Sequence, residues 1–202
     1  MLKSHHLALL PGLRSAIVNP LAAPLYVVTA VFVLAGAAKL IRPSATAAAL
    51  RELSVPSPLS SARFLGLGEI ILGVVAIATG NPLAWAGIAL SYGAFTLFVL
   101  WALGDASRIA SCGCFGREDT PATPGHLAFN AVASALAALA IFDPVRLGDF
   151  NGSAIEAILA IGLIAAAVAL SIAGLTVLPR TCLLYTSPSP RDQRGSRMPS
   201  SA

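Results

Sequence analysis

Five apolar runs, separated by short breaks rich in proline, glycine or charge, constrain this chain more than any other feature. They cover roughly Pro24–Ile41, Ala62–Thr79, Leu83–Leu103, His126–Phe142 and Ala154–Leu178. A helix rises about 1.5 Å per residue, so ~17–25 residues cross a hydrocarbon core of about 30 Å. Backbone N–H and C=O groups inside lipid must be paired within the chain, which helices achieve and unpaired strands do not. Only 11% of residues are charged and 56% are hydrophobic, whereas soluble domains carry about 25% charged residues. So few charges do not coat a globular surface. The expected fold class is an all-α integral membrane protein, a bundle of four to five transmembrane helices whose first partner is the lipid bilayer. The net charge is +4, but the basic residues flank the apolar runs instead of forming a patch, so no nucleic-acid partner is expected.

Residues 1–23 form a leader without a convincing cleavage site, read as uncleaved. Residues 24–142 form a four-helix membrane unit, and 143–181 hold the fifth helix with its flanks. The segment Ser44–Leu53 is expected to be a short interfacial helix, with Ser44 as N-cap and Ala47, Leu50 and Leu53 in one row. Gly80-Asn81-Pro82 is a tight turn that makes the second and third runs an antiparallel hairpin. From Cys182 to Ala202 the composition changes abruptly, and "CLLYTSPSPRD" resembles a translated sequencing adapter. That tail, read as artefactual and disordered, is set aside, and the native C-terminus beyond Thr181 stays open. Without it, Lys+Arg falls from 13 to 10 and Asp+Glu from 9 to 8.

Glu69 stands about seven residues inside the second run. A carboxylate in hydrocarbon costs on the order of 2.5–3.5 kcal/mol on insertion scales unless it is paired or wet. Gly66, Glu69 and Gly73 share one helical face, and the glycines let another helix approach. That face should point into the bundle. Lys39, near the end of the first run, is the expected partner of an intramembrane polar pair, with Arg63 as the alternative. Two readings stand: a buried proton or ligand site, or a clip that fixes how two helices pack.

The most polar stretch, Gly104–Gly125, contains Ser111-Cys112-Gly113-Cys114-Phe115-Gly116. A Cys-x-Cys pair can close a small ring of tight geometry, a strained disulfide is more oxidising, and Gly113 supplies the backbone freedom such a ring needs. Arg108 and Arg117 flank the pair, and positive charge favours the nucleophilic thiolate. Cys112 and Cys114 are thus candidates for a catalytic redox pair. Two other readings remain. One is a metal site using His126, twelve residues further on, although no clear fourth ligand is present. The other is a structural turn with inert sulfurs. The residues name no cofactor.

Several motifs then fall in order: K-L-x-x-P at Lys39, Leu40 and Pro43; G-x-x-E-x-x-x-G at Gly66, Glu69 and Gly73; and C-x-C-F-G at Cys112, Cys114, Phe115 and Gly116. Their order and spacing resemble the methylamine-utilisation protein MauE family, within the broader DoxX-like group of small membrane proteins. The resemblance covers about Leu25 to Phe142. It departs from the family at the fourth run, where an Arg-Asn pair is often found and this chain has Phe129-Asn130. The resemblance implies a multi-pass protein of the bacterial inner or plasma membrane. It also implies support of thiol–disulfide exchange or electron delivery for maturation of envelope proteins such as methylamine dehydrogenase. A thioredoxin-like, MauD-type protein is the implied partner. The alternatives are a non-catalytic membrane assembly subunit and a small proton- or quinone-linked DoxX-like subunit.

Charge asymmetry bears on orientation. Five spans place Lys3, Arg14 and Arg146 on one side, and Lys39, Arg42, Arg51, Arg63, Arg108, Arg117 and Arg180 on the other. The positive-inside rule then puts the cysteine segment in the cytoplasm, whereas a disulfide-forming site is expected on the oxidising side. The orientation is left open.

Overall fold

The structure, a computed structural model, describes residues 21–104, 122–149 and 153–177. Among them are six α-helices and one 3₁₀ turn, with no strand. Helix α1 spans Ala22–Ile41, α2 Ser44–Glu52, α3 Pro58–Thr79, α4 Pro82–Gly104, α5 Pro124–Leu139 and α6 Ala154–Thr176, with the 3₁₀ turn at Leu147–Asp149. Four of the helices, α1, α3, α4 and α6, are long and apolar enough to cross a membrane. The protein is an all-α membrane protein, as expected.

Local chemistry sets the boundaries. Arg42 leaves the helical region at φ −132° and ψ 73° because Pro43 crowds the residue before it. Ser44 was expected to cap α2, but Pro43 holds the N-cap position, already near helical dihedrals at φ −73° and ψ −13°. Ser44 therefore enters the helix and its hydroxyl makes no cap bond. Helix α2 buries Ala45, Thr46 and Ala47 against α3, while Leu53 of the expected row is exposed.

Helix α3 begins four residues before the expected Ala62, with Pro58 in its first turn, where a fixed φ and a missing N–H cost nothing. It ends at Gly80, whose φ of +67° is the left-handed conformation that closes helices. Asn81 Oδ1 then accepts from Leu83 N at 2.8 Å, starting α4 two residues later. The hairpin is the expected one.

Helix α5 is shorter than the run His126–Phe142 suggests. Its 16 residues rise about 24 Å. Beyond Leu139 the chain tightens into turns, with Ile141 N donating to Ala138 O and Phe142 N to Leu139 O. Pro144 disfavours the helical region for Asp143, and the helix ends ahead of it. Helix α6 opens with a capping box, Ser153 accepting from Glu156 N and Glu156 accepting from Ser153 N.

Helix α1 packs along α3, α4 packs along α5, and α3 and α4 form the hairpin between these pairs. Helix α6 leans mainly on α1 from outside. One core cluster joins Leu25, Val28 and Phe32 of α1 to Trp85, Ile88 and Tyr92 of α4 and to Ala133 and Ala137 of α5. Tyr92 ties it together. Its hydroxyl donates to Val28 O at 2.7 Å, and its ring stacks near Phe32 at 5.2 Å and Phe129 at 6.1 Å between centroids. Large apolar side chains such as Leu90, Leu97, Leu163 and Leu170 face outward, as lipid-facing residues do. Lipid tails are as apolar as leucine, so the bundle is held by close packing and buried polar contacts, not by exclusion of water.

Candidate functional site

The site begins with the approach of two glycines. Gly36 on α1 and Gly66 on α3 meet backbone to backbone: a Cβ added to either would lie 2.6 Å from the other's carbonyl oxygen. Gly73, two turns along α3, faces Val33 and Thr29 of α1. Gly66, Glu69 and Gly73 are all buried, so the small-residue face points into the bundle as its spacing indicated.

Such close packing brings Lys39 and Glu69 together. Lys39 Nζ lies 2.9 Å from Glu69 Oε1 and 2.8 Å from Oε2, and both residues are only 1% exposed. Arg63, the alternative partner, is exposed. Because α3 starts early, Glu69 occupies the middle of that helix, not a position near its end. A second contact comes from α4, where the Phe95 ring centroid lies 4.9 Å from Lys39 Nζ, a cation–π distance.

The pair borders a cavity of about 20 Å³, also lined by Tyr92, Phe95, His126 and Asn130. Phe32, Phe129 and Leu175 supply apolar wall. His126 belongs to the first turn of α5, and Thr123 caps that turn. The Thr123 hydroxyl oxygen lies 2.8 Å from His126 Nδ1 and accepts the His126 backbone N–H at 3.4 Å. The opposite ring nitrogen, Nε2, is buried and has no hydrogen-bond partner among the described residues. Asn130 follows one turn later on the same face.

Sequence reasoning located Lys39, Glu69, Gly66 and Gly73, and the structure brings all four into one α1–α3 contact. It did not find Gly36 or Phe95, and it weighed His126 only as a metal ligand. Among the described residues, no three of His, Cys, Asp and Glu converge on a metal-binding point. Gly36 was signalled by its place three residues before Lys39, one helical turn away. Phe95 carries no such signal, because an aromatic residue within an apolar helix is indistinguishable from a lipid-facing one. Cys112 and Cys114 lie outside the described residues. The segment holding them joins the end of α4 to the start of α5, and the start of α5 carries His126 and Thr123.

These features define a multi-pass α-helical membrane protein with an ion pair and a small cavity buried in its bundle. Residues 18–143 match the family described as methylamine utilisation protein MauE. The chain belongs to that family. Comparison with curated proteins and with solved structures gives no match.

Proposed function

We propose that this protein serves thiol–disulfide exchange at the bacterial cell membrane, supporting maturation of envelope proteins such as methylamine dehydrogenase. The supporting observation is family membership joined to the position of Cys112 and Cys114. In sequence they fall between α4 and α5, and the first turn of α5 carries the cavity residue His126.

The exchange runs through a thioredoxin-like, MauD-type partner. A Cys112 or Cys114 thiolate attacks the partner's disulfide and forms a mixed disulfide, releasing one partner thiolate. The second cysteine resolves it, closing Cys112–Cys114 and releasing the other. Two electrons and two protons pass from the membrane dithiol to the partner. The reverse direction oxidises a partner dithiol with the same balance.

The test is alkylation mass spectrometry of the full chain in native membranes. Cys112 and Cys114 should switch together between alkylated and disulfide-linked forms on dithiothreitol and diamide treatment. Cys114→Ser should trap a mixed disulfide with the partner, while Cys112→Ser/Cys114→Ser should stay in the membrane without supporting exchange. A wild-type pair that responds to neither reagent, or full exchange by the double variant, overturns the reading.

A further inference from the structure

The buried His126 Nε2 calls for a partner. An imidazole nitrogen removed from water without a hydrogen bond is unfavourable. His126 is 1% exposed, its Nδ1 is engaged by Thr123, and its ring lines the same cavity as Lys39 and Glu69. The cavity measures about 20 Å³, and a buried water needs roughly 10–15 Å³ on that measure and two to four polar neighbours. A ring-sized ligand does not fit.

We infer that the cavity is a hydrated proton-exchange site, in which one water joins His126 Nε2 to the Lys39–Glu69 pair. Hydrogen-bond roles support this. The Thr123 hydroxyl already accepts a backbone N–H. If it donates its own proton to Nδ1, then Nε2 carries the ring proton and needs an acceptor. If Nδ1 donates to Thr123, Nε2 needs a donor. Water satisfies either case. Asn130, with both a donor and an acceptor, supplies a further neighbour on the same wall.

Among the described residues, the groups facing His126 are few. Helix α1 presents the Lys39 ammonium, α3 the Glu69 carboxylate, α4 the Tyr92 hydroxyl already bonded to Val28 O, α5 the Asn130 amide, and α6 only Leu175. The ring N–H proton exchanges with a proton of the bridging water. No other bond changes and no electrons move. The site stands independently of the cysteine chemistry, since it needs neither Cys112 nor Cys114.

The experiment uses the full chain in phosphatidylcholine proteoliposomes, labelled with ¹⁵N-histidine and ¹⁵N-asparagine. His5→Gln and His6→Gln leave a single imidazole. Solid-state NMR should show a cross-peak between bulk-exchanging water and His126 Nε2, at the shift of a hydrogen-bonded ring nitrogen. On transfer to D₂O, the ring proton should exchange about 100-fold faster than the Asn130 backbone amide, whose release requires opening of the helix. A missing water cross-peak, or a ring proton as slow as that amide, overturns the inference. Either result would leave the alkylation test of the cysteine pair unaffected.

Discussion

Lys39→Met removes the cation from the centre of the bundle and leaves a side chain of similar length. The Nζ–Oε2 separation is 2.8 Å, which corresponds to about 6 kcal/mol of attraction at an effective dielectric of about 20. Withdrawing each ion from water costs several kcal/mol, so the intact pair is near balance against two apolar residues. Breaking the pair is a different matter, because Glu69 is then left buried without its counter-charge. The expected loss is about 3–5 kcal/mol. Lys39→Met/Glu69→Leu removes both charges and should return to within about 1 kcal/mol of wild type. Reversible unfolding in mixed bilayer micelles with SDS, followed by the fluorescence of buried Trp85, measures all three proteins. Additive losses in the double variant, or a loss under about 1 kcal/mol in Lys39→Met, would refute the view that the charges depend on one another.

Two further predictions use the same assay. Gly66→Ala sets a methyl 2.6 Å from the Gly36 carbonyl and should cost about 1–3 kcal/mol by overpacking. Gly68→Ala, with nothing within 4 Å of the added carbon, should be neutral or stabilise by up to about 1 kcal/mol. Equal effects would contradict the close α1–α3 approach. Tyr92→Phe deletes the bond to Val28 O at 2.7 Å and should cost about 0.5–1.5 kcal/mol. No loss would mean that this bond contributes nothing to the α1–α4 contact.

The fold was largely legible because lipid leaves the backbone few choices. Run lengths identified the helices, and Gly80-Asn81-Pro82 identified the hairpin. Their ends were less legible. Proline acted in two ways: Pro58 extended α3 outward, whereas Pro144 helped unwind α5 early. The first of these moved Glu69 to mid-helix. Half of the polar centre was legible too, because a Lys and a Glu within apolar runs are conspicuous. His126 was not, since it stands at the polar margin of its run, where a histidine raises no energetic objection. The Thr123 cap and the packing of α5 onto α4 and α1 turn it inward.

The glycines, the ion pair and the outermost helix follow from one physical requirement. Lysine and glutamate can share a membrane interior only where lipid is kept away and their side chains meet with little slack. Gly36 and Gly66 meet the second condition by letting α1 and α3 touch at the backbone. The first needs walls on every side: α4 supplies Phe95 and α5 supplies Phe129 and Asn130. The remaining wall includes Leu175, near the end of α6, which lies beyond the 18–143 region that carries the family match. Helix α6 buries Val168, Leu175 and Thr176, two turns apart on one stripe, and exposes most of its other large side chains. Its contribution to the site is therefore a narrow lid of apolar packing against α1, a role that many apolar sequences can fill. Lys39, Gly66 and Glu69 have no such freedom, because changing any one of them strands a charge or separates the helices that pair it.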